Sequence, residues 1–362
     1  MYEYVHGGDL YTAQKKVGNK KILDFSVNIN PLGIPEGVKE AIKKAIEDCV
    51  NYPDPFCREL TRALAAYENT EPENILCANG ASELIFRLPV ALKPKNALLL
   101  APTFADYEKA LRTVDCNIYY YSLEPENDFS LQEDFLELLE NRMDMIWICN
   151  PNNPTGQGTE NALIKRVLEK SSKIRTSYEK SSIVIVDECF MDFVEEPQNY
   201  SVQNLIGSYN NLVILKAFTK AFAIPGIRLG YLLTTNKELI NKLRLAGQDW
   251  SVSSLAQAAG VRALREEGYL QESLTLVKKE RAFLKKELQA LGFKVYGSLA
   301  NYIFFYAPKH RELDKILLSK GFLIRSCANY RGLGFGYYRI AVKKHEDNTK
   351  LLDALEAVAR TT

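Results

Sequence analysis

Six short runs of β-forming residues recur in the first two-thirds of the chain. They are "NALLLA" (96–101), "NIYYYS" (117–122), "MIWICN" (145–150), "SIVIVD" (182–187), "LVILKA" (212–217) and "LGYLLT" (229–234). Most are continuously apolar rather than alternating, so both faces of each must be covered. Stretches of helical period separate them, at 80–92, 103–114, 131–141, 159–178 and 236–247. Strand and helix in regular alternation predict an α/β architecture on a mostly parallel sheet.

After residue 250 the rhythm changes. A helical region covers 252–291, and "LVKKERAFLKKELQAL" (276–291) repeats its apolar residues every three or four positions. Then come "FKVYG" (293–297), "NYIFFY" (301–306), "GFLIRS" (321–326) and "YYRIAV" (337–342), with helical patterns at 309–320 and 346–359. These predict a second, smaller α/β layer.

Forty-six basic and forty-five acidic side chains leave a formal charge of +1 on 362 residues. That balance carries no basic stripe for nucleic acid. The apolar runs are far too short for a membrane span, and "MYEYVHGGDLYTAQKK" lacks a signal-peptide pattern. The seven cysteines are scattered and the histidines number three, which speaks against a metal site and for a reduced, cytoplasmic setting.

Ligands of open α/β sheets bind beyond the carboxyl ends of the strands, so the residues there carry the chemistry. After "MIWIC" comes "NPNNPTG" (150–156), a rigid turn able to hold an amide at a set angle, or else an ordinary loop with good turn chemistry. Asp187 follows "IVIV"; it is a buried carboxylate in need of a partner, or a helix N-cap. "FTKAFAIPGIRLGY" (218–231) carries Lys220 and Arg228 in apolar company. Desolvation makes such a lysine a better nucleophile, and a guanidinium suits phosphate; singly, each also reads as a surface cation. "ANGASEL" (78–84) presents backbone N–H groups at a helix start, a general anion site.

Together these elements describe one ligand with a phosphate, a basic ring nitrogen (Asp187), a hydroxyl (Asn153) and an aldehyde (Lys220). Pyridoxal 5′-phosphate has all four. Neither the P-loop nor the dinucleotide fingerprint is present.

At this point the chain resembles the fold-type I pyridoxal-phosphate enzymes of the class I/II aminotransferase group, nearly over its full length. The resemblance implies a large domain (41–270) with a mostly parallel seven-stranded sheet flanked by helices. A smaller α/β domain would be formed by 1–40 and 271–362. It implies that Lys220 bonds the cofactor aldehyde, that Asp187 partners the ring nitrogen and that Asn153 donates to the ring hydroxyl. Arg228 and the amides of Ala81 and Ser82 would hold the phosphate, and Phe104 in "PTFADY" would stack on the ring. Tyr52 in "NYPDP" would reach a phosphate across a homodimer interface. Arg339 in "YYRIAV" would meet the substrate's α-carboxylate.

Within the group, "HGGD" (6–9), "DFSVNINPLG" (24–33), "WSVSSLAQ" (250–257) and "LIRSCANY" (323–330) most resemble the threonine-phosphate decarboxylases, relatives of the histidinol-phosphate aminotransferases. Phe190, where many aminotransferases carry a tyrosine, fits them too. The resemblance implies decarboxylation of O-phospho-L-threonine or O-phospho-L-serine to an amino-alcohol phosphate for cobalamin nucleotide-loop assembly. His6, Asn28 and Arg325 are the candidates that anchor this small phosphorylated substrate. Two positions depart from the family. Ala217 replaces a serine or threonine that bonds the cofactor phosphate, with Thr219 the candidate replacement. Arg331 stands where relatives carry proline. The alternatives are an aminotransferase of the histidinol-phosphate type and a non-catalytic ligand-binding protein on the same scaffold.

Overall fold

The apolar runs become strands where their pattern places them. In the computed structural model, which describes residues 6–139, 143–173 and 181–360, β1 (Leu23–Asp24) lies in the N-terminal arm. Next come β2 (Ile75–Ala78), β3 (Asn96–Ala101), β4 (Asn117–Ser122), β5 (Met145–Cys149), β6 (Ile183–Asp187), β7 (Leu212–Ala217) and β8 (Gly230–Leu233). These seven form one sheet in the order β2-β8-β7-β6-β5-β3-β4. β8 runs antiparallel to both its neighbours; every other pairing is parallel.

Successive side chains of a strand point to opposite faces, and here both faces are covered. Ile146, Ile148, Val184, Val186 and Ile214 pack into one apolar cluster, while Met145, Trp147, Ile185, Val213 and Leu215 pack into another. That explains the unbroken apolar runs. β4, at the sheet edge, is partly exposed along its length.

The C-terminal part adds β9 (Lys294–Val295), β10 (Tyr302–Tyr306), β11 (Phe322–Leu323), β12 (Arg325–Ser326) and β13 (Tyr337–Ala341). β12-β13-β10-β9 is an antiparallel sheet. A third apolar cluster joins this sheet to Val277, Leu284 and Leu288 of helix Tyr269–Ala290 and to Leu351 and Leu355 of helix His345–Ala359. Phe190 and Phe193, from the loop after β6, pack into this cluster as well. Packing therefore ties the two layers together beside the end of β6.

Three local findings differ from the sequence pattern. The helical region 252–291 is two helices, Ser254–Ala263 and Tyr269–Ala290, with Gly268 in the left-handed region (φ 74°) starting the second. The run "GFLIRS" serves two sheets, since β11 pairs in parallel with β1 whereas β12 pairs with β13. Of the stretch 131–141, Phe135–Leu138 is helical and 140–141 lies outside the described residues; 174–178 of the stretch 159–178 does too. Among the described residues no helix is long and apolar enough to cross a membrane, and all seven cysteines are free thiols.

Candidate active site

Because β2 and β7 both oppose β8, β2 runs in the same sense as the parallel strands. The carboxyl ends of β2, β3, β5, β6 and β7 and the start of β8 therefore share one edge. There a cavity of about 310 Å³ opens. Lys220, Asp187, Asn153, Phe104, Thr219, Arg228, Ala81 and Ser82 line it, and so do His6, Asn28, Arg325 and Arg339.

The floor is shaped by small residues. Ala78, Gly230 and Ala217 sit side by side in register across β2, β8 and β7. A Cβ on Gly230 would lie 2.4 Å from the backbone nitrogen of Ala81, so only glycine lets helix Gly80–Leu92 bring its first turn onto the sheet. Arg228 closes the same corner. Its Nη2 donates to Ser82 Oγ at 2.8 Å and its Nη1 to the carbonyl of Pro225 at 3.1 Å. Arg228 is itself left-handed (φ 60°), and a Cβ on Gly80 would meet its guanidinium at 2.6 Å. Unpaired N–H groups of a helix start beside a guanidinium make a site for a dianion.

Lys220 lies in the single turn Phe218–Ala221 that follows β7. Lys220 is half-buried, and burial followed by the charges of Arg339 and Arg228 lowers its pKa to about 8. The amine is thus more available as a nucleophile than an exposed lysine.

Asp187 ends β6 and is 6% exposed. One carboxylate oxygen accepts from the backbone N–H of Cys189 at 3.0 Å, which is local turn bonding. The other accepts the hydroxyl of Tyr107 at 2.6 Å. Tyr107 in turn stacks on Trp147, with ring centroids 4.7 Å apart. The carboxylate is therefore aimed, not merely capping.

In "NPNNPTG" the three asparagines divide their work. Asn150 bonds the carbonyls of Thr159 and Tyr200, and Asn152 bonds that of Pro102. Only Asn153 faces the cavity, where its Oδ1 accepts from Arg339 and, at 3.4 Å, from Tyr330. The Asn150–Pro151 and Asn153–Pro154 bonds are cis.

The opposite wall comes from the N-terminal arm and the small layer. Arg339, on β13, is 5% exposed and donates to the carbonyl of Ser26 at 2.6 Å. Arg325, on β12, bonds Asn329 at 2.8 Å and lies 5.1 Å over the Tyr330 ring. His6 meets Asp106 at 2.9 Å and Phe104 at 5.4 Å between ring centroids.

Tyr52 lies outside this cavity. It is 80% exposed and its ring packs tilted against Trp250, with centroids 4.6 Å apart. Arg331 also faces outward, paired with Glu108 at 3.2 Å and lying 4.1 Å over Tyr120. It ties the 327–334 loop to helix Ala105–Arg112 from outside. Tyr107, Tyr330 and Asp106 line the cavity without having been singled out in the sequence. Tyr107 and Tyr330 sit in motifs already quoted, but an aromatic among apolar residues reads as core.

The donor set fits pyridoxal 5′-phosphate: a less basic lysine, an aimed carboxylate, an amide and an anion corner line one cavity. Two buried polar atoms at its edge, Arg339 Nε and Asn28 Oδ1, have no hydrogen-bond partner among the described residues. Buried polar groups are normally satisfied, so their position favours a polar ligand.

The fold and this lysine-centred site define an enzyme that uses pyridoxal 5′-phosphate. The chain belongs to the aminotransferase class I and II family, whose pattern it matches over residues 20–355. It is 34% identical to the threonine-phosphate decarboxylase of Salmonella typhimurium, covering 99% of this chain and 97% of that protein. Its fold is similar to the crystal structure of a histidinol-phosphate aminotransferase from Clostridium acetobutylicum (TM-score 0.87, 32% identity, 94% of this chain and 100% of the other). It is also similar to the L-threonine-O-3-phosphate decarboxylase from Porphyromonas gingivalis (TM-score 0.82, 25% identity, 94% and 100%).

Proposed function

We propose that the chain decarboxylates O-phospho-L-threonine, with O-phospho-L-serine the nearest competing substrate, to give an amino-alcohol phosphate of the kind used in cobalamin nucleotide-loop assembly. One observation carries this reading. Arg325 and His6 face the cavity from outside the group of residues that fits the cofactor phosphate, so a second, distal anion has its own anchor. The likeness to two threonine-phosphate decarboxylases supports it.

When bound, pyridoxal 5′-phosphate supplies an electron sink for the carbanion formed at the substrate Cα. The chain's own residues do the rest. Arg228 and the first N–H groups of helix Gly80–Leu92 grip the cofactor phosphate. Asp187, held by Tyr107 and Cys189, keeps a proton on the ring nitrogen. Phe104 covers one ring face. Lys220 would be the amine that holds the cofactor aldehyde, and the same amine would be the group able to carry a proton to the substrate Cα. Asn153 and Arg339, bonded to each other, would bind the ring hydroxyl and the substrate carboxylate. The orientation in which the chain holds the substrate would select which Cα bond breaks. Anchoring the far phosphate on Arg325 and His6, with Asn28 beside them, would orient the carboxylate for loss as carbon dioxide.

A homodimer completes the site, with Tyr52 of each chain reaching the partner's cofactor phosphate. Val50, Tyr52 and Leu245 are each at least 80% exposed, an apolar surface suited to a second copy.

Holoenzyme mixed with O-phospho-L-threonine, and separately with O-phospho-L-serine, should release carbon dioxide with no 2-oxo acid present. The histidinol-phosphate aminotransferase reading, favoured by the fold match to the Clostridium enzyme, predicts instead conversion of the cofactor to its amine form, reversed by a 2-oxo acid. A non-catalytic binding protein would do neither.

A further inference from the structure

We propose that Asp106 is a positioning residue that fixes the His6 ring at the cavity mouth for its grip on the substrate's distal phosphate, an assignment that rests on the reading of His6 and Arg325 as phosphate anchors. An acid in a cavity built for anions needs a reason. Asp106 is 8% exposed and lines the same cavity as Lys220, Arg228, Arg325 and Arg339. Alone, its charge would repel an incoming phosphate. Its place in the first turn of helix Ala105–Arg112 makes a carboxylate tolerable there. It does not explain why the carboxylate should face the cavity.

The partner supplies the explanation. His6 Nε2 lies 2.9 Å from Asp106 Oδ1. His6 belongs to no helix or strand, yet its backbone is tightly placed. A Cβ on Gly7 would lie 2.4 Å from the Ser26 carbonyl oxygen, and one on Gly8 would lie 2.7 Å from Val27 Cγ1. Gly8 N donates to Ser26 Oγ at 2.8 Å, and its φ of 86° belongs to glycine. "HGG" therefore presses onto the segment that carries Ser26 and Asn28 into the cavity. Backbone contacts set where His6 starts; Phe104 and Asp106 set where its ring ends. A carboxylate on one ring nitrogen fixes the tautomer and the direction of the other. Bonded to the His6 ring, Asp106 Oδ1 is turned to a partner and not left open to an incoming anion, and Arg325 lines the same cavity.

Titration of the holoenzyme's cofactor absorbance with O-phospho-L-threonine tests this, with L-threonine as the phosphate-free control. Asp106→Ala should weaken binding of the phosphorylated amino acid about tenfold, the size of one charge-assisted hydrogen bond, and leave L-threonine binding unchanged. Asp106→Asn, which keeps the shape and removes the charge, should bind between the two and carries the test if the alanine variant fails to fold. His6→Ala combined with Asp106→Ala should bind no more weakly than His6→Ala alone. If His6→Ala weakens binding and Asp106→Ala does not, the role of Asp106 is overturned and the anchor reading stands. If His6→Ala binds like the wild type, the anchor reading falls and this assignment with it. Equal weakening toward L-threonine marks a general collapse of the site and also overturns it.

Discussion

Lys216 and Lys220 stand four residues apart and face opposite environments. Lys216, on β7, turns to a polar cluster away from the cavity, where its Nζ meets Glu68 at 2.9 Å and Gln203 at 2.8 Å. Glu68 is 4% exposed and also accepts the Tyr231 hydroxyl. Burial alone would lower the Lys216 pKa, but Glu68, helped by Glu188 and Asp192, raises it above its ordinary value. Lys220 has no carboxylate within ion-pair distance among the described residues, and two arginines bias it toward the neutral amine. One lysine is held charged and supports the fold; the other is held less basic and is fit for covalent chemistry. What separates them is their neighbours.

The largest test of that contrast is Lys220→Ala. Turnover of O-phospho-L-threonine should fall by at least about a thousandfold, since nucleophile and proton carrier go together. The absorbance band of the lysine-bound cofactor should disappear while the melting temperature of the apo chain does not fall. Lys216→Met should do the reverse. It strands a buried carboxylate and should cost about 3–5 kcal/mol of stability in denaturant unfolding, with the cofactor band retained by the folded fraction. Adding Glu68→Gln should restore much of that loss. If Lys216→Met abolished the band and left stability intact, the two roles would be exchanged.

The pH dependence sharpens the contrast because its signs are opposite. The folded-state pKa of Lys220, about 8, lies below the ordinary 10.5, so between those values the unfolded chain binds more protons. Its penalty to the apo fold is full below pH 8 and gone above pH 10.5. Measured against Lys220→Met, the apo wild type should gain on the order of 2 kcal/mol across that window, after allowance for solvent in the cleft. The raised pKa of Lys216 works the other way: its contribution is present below pH 10.5 and lost as pH climbs through the higher folded-state value. A flat difference between wild type and Lys220→Met would refute the lowered value.

The smallest expected effect is at Ala217, which lines the cavity beside Thr219. Ala217→Ser supplies one more donor and should tighten cofactor binding several-fold, about 1 kcal/mol, in an absorbance titration of the apo chain. No gain would mean that Thr219 already fills that place.

Much of the cofactor site was legible because its residues break a pattern. Asp187 interrupts "IVIV", the prolines interrupt the β-run before Asn153, and Gly80 opens a helix. The opposite wall of the cavity was legible only through family resemblance, since His6, Asn28 and Arg325 sit in loops and two-residue strands with no periodicity to break. Asn30 illustrates the difficulty. Two residues from Asn28, it bonds the Ala221 carbonyl at 2.7 Å and so holds the arm in place. No spacing in "SVNINP" (26–31) tells the two asparagines apart. Tyr107 was hidden for another reason: a hydroxyl on a core aromatic looks idle until its partner, eighty residues away in the chain, is brought beside it.

By itself the sequence determined the strands, their buried setting on both faces and the edge at which ligand chemistry gathers, because hydrophobic periodicity and turn residues act locally. Tertiary structure alone decided which of two lysines on one strand-to-helix stretch stays charged and which asparagine of each motif turns inward. It also decided that an acid and a histidine a hundred residues apart would meet in one hydrogen bond. Those outcomes follow from electrostatics and desolvation, which depend on distance in space, and no local pattern records which distant side chain will arrive.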